Sequence, residues 1–274
     1  MLATAPPSRN DRSAIAARLN ARTGGTGTRA MMFAHGFGCD QTMWRFVAPA
    51  FAEDFRIVTF DYVGGGGSDL AAYDPARYAT MDGYAEDVVA LATALDITDG
   101  VFVGHSVSAM IGFLAARRAP QLFSTLVMVA PSPCYIDDGD YVGGFTRDQI
   151  VELIELLDSN HLGWSATMAP VIMGHPDRPE LGDELAASFC RIDPDIAKQF
   201  ARVTFLSDTR ADLGPIDARV LILQSGEDVI APPAVGDFVH RAIPDSRLVV
   251  LDTTGHCPHL SAPEATIAAI RAGI

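Results

Sequence analysis

Val101-Phe102-Val103-Gly104-His105-Ser106-Val107-Ser108-Ala109-Met110 changes character midway. A β-branched and aromatic run stops at a glycine, a polar pair follows, and the chain resumes as a helix-forming segment. The stretch reads as strand, sharp turn and helix, with Ser106 at the apex. There the hydroxyl projects above the sheet edge. The N–H of Val107 falls in the first helical turn, where donors are unpaired and the dipole favours negative charge. This is the arrangement of a serine nucleophile on a strand-to-helix elbow, usually written G-x-S-x-G. Ser108 replaces the second glycine, and a serine is small enough to pass the facing strand. Taken alone, the stretch is equally a plain turn with a capping serine; the rest of the chain decides.

Working outward, Ala30-Met31-Met32-Phe33-Ala34 is an apolar run of strand length that leads into His35-Gly36-Phe37-Gly38. Glycines after a buried strand let the backbone turn and aim an N–H at a ligand. The Phe37 N–H would thus be the second donor of an oxyanion hole whose first is Val107. Arg56–Phe60 and Thr125–Ala130 are further strands, and Tyr84, Val88, Leu91, Ala92 and Leu95 share one helical face. Ala14 to Thr23 reads as a first strand and Trp44 to Phe51 as a short helix. The glycine run 64–67 lacks the lysine of a phosphate loop and the spacing of a dinucleotide fingerprint, so it reads as a flexible or tightly packed loop. Alternating strands and helices predict a mostly parallel sheet with helices on both faces.

The alternation stops between 136 and 211, where helical patterns are broken by Gly174, Pro176, Pro179 and Pro194. An all-helical insertion of this kind is most simply a cap over the carboxyl ends of the strands, where open α/β sheets bind ligands. The organisation expected is a flexible tail over 1–11, an α/β core over 12–135 and 212–274, and a helical cap over 136–211. Trp164 and Met168, with Met173, are candidates for a pocket lining or for cap-to-core packing. His35 flanks the same region. Arg219–Gln224 and Leu248–Leu251 complete the sheet, with a loop at Ser225-Gly226-Glu227-Asp228. Ser261-Ala262-Pro263-Glu264 reads as a capping box opening a last helix, with Ile267, Ile270 and Ile274 inward.

Ser106, an acid near 228 and a histidine near 256 follow the chain order Ser, Asp, His used by α/β-hydrolases. A serine hydroxyl is a poor nucleophile until a base takes its proton. His256 would be that base, and Asp228 would orient it and stabilise its cation. Glu227 adjoins Asp228 and is the alternative acid; His259 adjoins His256 and is the alternative base. Asp228 and His256 are preferred. His256, Cys257 and His259 match no common zinc spacing, so no metal is expected. His35 and His105 are read as tuning loops by hydrogen bonding.

The chain has 274 residues, 49% of them hydrophobic, which excludes a disordered polypeptide. Its net charge of -14 disfavours nucleic acid and anionic membrane surfaces as partners. The four cysteines form no C-x-x-C pair and fit free thiols in a reducing cytoplasm. The segment Met1 to Arg12 has no apolar signal core, and no run is long enough to span a membrane.

Six motifs together resemble the RsbQ-type α/β-hydrolases, bacterial proteins of the energy-stress sigma-B response. They are His35-Gly36-Phe37-Gly38-Cys39-Asp40-Gln41, Asp61-Tyr62-Val63-Gly64, Gly104-His105-Ser106-Val107, Pro131-Ser132-Pro133-Cys134-Tyr135, Gly143-Gly144-Phe145 and Gly255-His256-Cys257-Pro258-His259. The chain is similar also to the plant strigolactone and karrikin receptor hydrolases, whose elbow resembles Gly104 to Met110. The likeness runs from about residue 30 to the C-terminus. It implies an α/β-hydrolase fold with a four-helix cap over a small hydrophobic pocket. It also implies a Ser106, His256 and Asp228 triad, an oxyanion hole from the Phe37 and Val107 N–H groups, and no cofactor. The implied ligand is a small hydrophobic ester or lactone, and the implied protein partner a PAS-domain phosphatase. A signalling hydrolase, a metabolic carboxylesterase or lactonase, and a receptor with negligible turnover would share these residues.

Overall fold

The computed structural model describes residues 9–274. Among them, seven strands form one sheet: β1 (Arg22–Gly24), β2 (Ala30–Ala34), β3 (Arg56–Thr59), β4 (Gly100–His105), β5 (Phe123–Val129), β6 (Arg219–Glu227) and β7 (Arg247–Thr254). Their order is β1-β3-β2-β4-β5-β6-β7. Only β1 runs antiparallel to its neighbour β3; the other pairings are parallel. The central strands β2 and β4 are buried at every position, as expected for a sheet covered on both faces.

The period-two alternation of strand side chains sorts the core into two layers. Met32, Phe102, Leu126 and Ile222 face α2 (Met81–Ala94), α3 (Val107–Arg118) and α8 (Pro233–Ala242). Met31, Phe33, Val103, Val127 and Leu223 face the other way, toward Trp44, Phe51 and Ile270. Ile270 belongs to α10 (Pro263–Gly273), with Ile267 and Ile274 packed beside it.

Several local expectations are corrected. The supposed first strand at Ala14 to Thr23 is mostly α1 (Arg9–Arg18), with only Arg22–Gly24 in the sheet. Its alanine-rich sequence favours helix, and Ile15 and Leu19, four apart, pack into the core. Residues 9–11, read as tail, lie in that helix; residues 1–8 fall outside the described part. Trp44 to Phe51 is not one helix but two 3-10 turns, Gln41–Trp44 and Ala48–Phe51. Asp40 caps the first, and Pro49, lacking an N–H, breaks any continuous helical ladder. The loop expected at 225–228 is largely strand, since β6 continues to Glu227 past an irregularity after Ser225. The Ser261 hydroxyl does not cap α10. Ser261 ends the single turn α9 (Pro258–Ser261) and donates back to the Cys257 carbonyl at 3.3 Å. The glycine loop is tightly packed: the Asp61 carboxylate at its root accepts from the Gly67 N–H at 2.9 Å, the Gln41 N–H at 2.8 Å and Asn20 Nδ2 at 2.6 Å.

Between β5 and β6 lie four helices: α4 (Arg147–Ser159), α5 (His161–Met173), α6 (Pro179–Phe189) and α7 (Pro194–Leu206). Thr146 and Gln149 form a reciprocal capping box at the start of α4. Ile150, Ile154, Leu157, Trp164, Leu185, Phe189, Ala201 and Phe205 give this layer its own apolar core.

The crossing of β4 and α3 depends on Gly104. A Cβ there would fall 2.4 Å from the Ser108 carbonyl oxygen. Gly104→Ala is expected to force strand and helix apart and to cost about 1–3 kcal/mol, read as a lower urea unfolding midpoint at unchanged slope.

Candidate active site

Ser106 follows β4 and is held at φ 57° and ψ -124°, a backbone conformation that non-glycine residues rarely occupy. Its N–H donates to the Val129 carbonyl at 2.8 Å. The turn directs Oγ to 2.8 Å from His256 Nε2 and 3.2 Å from the Tyr135 hydroxyl. His256 Nδ1 lies 2.7 Å from Asp228 Oδ2. The other Asp228 oxygen accepts from the N–H groups of Ile230 at 2.8 Å and Ala231 at 3.1 Å. A carboxylate facing Nδ1 fixes the proton there, which leaves the Nε2 lone pair to accept from the serine hydroxyl. Ser106, Asp228 and His256 are all buried, whereas Glu227 is exposed at the end of β6. The geometry therefore selects Asp228 over Glu227.

The oxyanion side is built from backbone. Val107 opens α3, where a first-turn N–H has no helical acceptor. Phe37 stands in the loop after β2, and among the described residues its N–H donates to no protein group. Ser108 replaces a glycine at no loss of fit: its hydroxyl donates to the His35 carbonyl and lies 3.0 Å from the Tyr62 hydroxyl.

His35, Trp164 and Met168 do not line the cavity above Ser106. His35 stands behind the loop, where its Nε2 accepts from the Tyr62 N–H at 3.2 Å and its Nδ1–H donates to the Gly36 carbonyl at 2.9 Å. Trp164 is buried behind the ring of Phe37, edge-on at 6.0 Å, and Met168 packs within the cap. The apolar wall is instead Phe37, Ile172, Leu185, Phe189, Phe205 and Ile230, around a narrow cavity with about 30 Å³ open to the centre of a water molecule. Tyr135 and Thr204 also line it, and sequence reasoning left both unassigned. For Tyr135 the available signal was its position just past β5, beside the nucleophile strand. Burial pushes the Tyr135 phenol up, so it keeps its proton. Cys39 and Cys257 also border the cavity, and burial raises both thiols, which stay protonated and weakly nucleophilic. Among the described residues no cluster of His, Cys, Asp or Glu is arranged to hold a metal ion, and no helix is long and apolar enough to cross a membrane.

His256 rests on a second histidine layer. His105 Nε2–H donates to the His256 carbonyl at 2.8 Å. The ring of His259 lies 4.4 Å from that of His105 and 4.6 Å from Trp44. Neither His259 nitrogen has a partner among the described residues. His259 is therefore a packing ring and does not touch Ser106.

A family profile described as "Alpha/beta hydrolase family" matches residues 31–269. The chain belongs to the alpha/beta hydrolase family. The hydrolase is 38% identical over 250 residues to a protein of Oryza sativa subsp. japonica named as a probable esterase, covering 90% of this chain and 92% of that protein. It is 36% identical over 249 residues to "Karrikin insensitive 2 receptor CA" of Petunia hybrida, covering 90% and 92%. A solved hydrolase structure from Oleispira antarctica superposes with a TM-score of 0.92 at 40% identity, covering 95% of this chain and 96% of that one. The hydrolase thus has the α/β-hydrolase fold, and its relatives include the plant receptor-type esterases that its motifs resemble.

The histidine layer makes a pH prediction. Burial drives His259 down to about 3 and His105 well below the ordinary value of 6.5. Below about 6.5 the unfolded chain binds protons that these folded imidazoles refuse. Stability is therefore full above that pH and falls as pH drops toward the folded values, by about 1.4 kcal/mol per pH unit for each ring. Between about pH 6 and pH 5, His259→Phe should lose about 1 kcal/mol less than wild type, measured by urea unfolding; equal losses would show that His259 takes a proton in the folded state.

Proposed function

We propose that this protein is a serine hydrolase that cleaves small hydrophobic esters or lactones, with Ser106 as nucleophile. The observation that carries the reading is the unbroken Asp228, His256 and Ser106 relay opening into an apolar cavity. His256 Nε2 takes the hydroxyl proton as Ser106 Oγ attacks the carbonyl carbon, and the carbonyl π electrons move to oxygen. That oxyanion accepts from the Phe37 and Val107 N–H groups, whose worth is raised by a water-poor surrounding. Collapse expels the alkoxide, which takes the proton from His256. Water then repeats the sequence on the acyl-serine and releases the acid. The narrow aromatic cavity favours a short acyl group or a compact lactone.

A signalling role of the RsbQ type, in the cytoplasm with a PAS-domain phosphatase as partner, is the finer proposal. It is supported by the motif likeness and by a relative that is named a receptor. The competing reading is a metabolic carboxylesterase or lactonase, which would differ by sustained turnover.

With a chromogenic short-chain ester, Ser106→Ala should lower kcat by at least about a thousandfold with the fold intact by circular dichroism. Retained activity in the purified variant would refute the nucleophile. Asp228→Asn is expected to lose about 10³–10⁴-fold, since it upsets the tautomer of His256, and Glu227→Gln to stay near wild type; the reverse ranking would reassign the acid. Product per enzyme separates the roles: many equivalents favour metabolism, and about one followed by a stall favours signalling.

A further inference from the structure

Threonines and serines inside helices ordinarily return their hydroxyl to the carbonyl one turn back, and this chain does so repeatedly. Thr93 donates to Val89 O at 2.7 Å, Ser165 to His161 O at 2.8 Å and Thr266 to Ala262 O at 3.0 Å. Ser207, just past the end of α7, donates to Val203 O. Ser108 and Ser188 instead bond across to the His35 and Gly38 carbonyls, whereas Thr204 in α7 does neither. It is 1% exposed, its Oγ1 has no hydrogen-bond partner, and it borders the cavity above Ser106.

The other polar groups of that cavity are accounted for. Ser106, His256 and Tyr135 bond to one another or to Asp228. His105 Nδ1 also lacks a partner, but it is walled off by backbone: a Cβ on Gly36 would fall 2.5 Å from it. The rest of the cavity wall is largely rings and aliphatic chains, Phe205, Phe189 and Leu185 among them. A buried hydroxyl with nothing to bind is unfavourable unless a ligand supplies the missing atom.

We propose that Thr204 is a specificity-determining residue that donates a hydrogen bond to a second oxygen of the substrate, a carbonyl or ether remote from the bond being cleaved. The substrate class narrows accordingly, from any small apolar ester or lactone to one carrying a further acceptor oxygen on its apolar body. A site built to bond an oxygen discriminates against the methylene analogue far more strongly than an apolar pocket discriminates by size. This inference rests on the hydrolase reading of the same cavity.

The test is a series of p-nitrophenyl esters in matched pairs. Each pair shares chain length and differs by one oxygen against one methylene, with the oxygen at the third, fourth or fifth chain atom, and each rate is divided by the ester's own alkaline hydrolysis rate. For wild type, one position should give an oxygen-to-methylene kcat/KM ratio of about tenfold or more. Thr204→Val should bring that ratio to near one, and Thr204→Ser should keep it above one. Thr204→Val should also melt no lower than wild type, since it removes an unpaired buried hydroxyl. A wild-type ratio near one at every position, or a ratio that survives Thr204→Val, overturns the proposal and leaves the hydrolase reading standing. A Thr204→Val melting temperature several degrees lower also overturns it, because the hydroxyl is then bonded within the protein. A wild-type protein that cleaves none of the esters removes both.

Discussion

The geometry of the site depends on one backbone turn, Ser106 at φ 57° and ψ -124°. Such a conformation costs about 1–3 kcal/mol and persists only where its surroundings over-determine it. Three features do so here. The strand before it is buried at every position between β2 and β5. The Ser106 N–H is tied to Val129, and α3 presses directly against Gly104. The same turn brings Oγ to 2.8 Å from His256 Nε2 and puts Val107 in the first helical turn, so the proposed nucleophile and oxyanion donor would both be set by a single strained residue. The Ser108 hydroxyl, bonded to the His35 carbonyl, further ties α3 to the loop carrying the second donor.

The helices above the sheet hold the loops that carry His256 and Phe37. From the end of α5, the Ile172 carbonyl accepts the His256 N–H at 2.8 Å, and the Gly174 carbonyl accepts the Thr254 hydroxyl at 2.8 Å. From α6, the buried Ser188 hydroxyl donates to the Gly38 carbonyl at 3.0 Å, while Glu184 pairs with Arg45 at 2.6 Å. Just past that helix, Arg191 pairs with Asp40 at 3.0 Å. Glu184, Ser188 and Arg191 are four and three apart, the spacing that keeps side chains on one helical face. The helix pair α5–α6 thus grips the His256 loop at one end and the loop after β2, which carries Phe37, at the other. A displacement of that pair would pull on both loops, and this is the physical route from ligand to surface that the proposed signalling role requires.

What was legible in the sequence follows from which physical signals are local. Buried parallel strands are continuous apolar runs, so β2, β4 and β5 stood out, as did Ser106 and His256 just beyond strand ends. The preference for Asp228 over Glu227 has little local signal behind it; the fold leaves Glu227 exposed at the end of β6, past an irregularity after Ser225, and buries Asp228 next to it. The segment before residue 23 is hard to read because a short edge strand three residues long carries little pattern, while among the described residues the helix before it packs few apolar side chains into the core, Ile15 and Ala16, with Leu19 just past its end. Tyr135 and Thr204 are ordinary residue types; only the fold shows that one reaches the nucleophile and that the other has nothing to bond.

Trp164 illustrates the remaining gap, since large apolar residues look alike in sequence whether they touch a ligand or stand one layer back. The difference is made by Phe37, whose ring is interposed. That ring lies 6.0 Å from Trp164, 5.9 Å from Phe189, 5.7 Å from Phe200 and 5.7 Å from Phe205. The loop that carries it closes weakly on itself, with Cys39 N–H to Gly36 O at 3.4 Å. Its position is therefore imposed from outside, by aromatic packing and by the Ser188 anchor. Phe37 presents to the cavity an apolar wall, and in the proposed hydrolysis the same residue would supply an N–H to the developing oxyanion. The rings that exclude water from the cavity are consequently the rings that place this donor, and desolvation and charge stabilisation become one property of the packing around a single side chain.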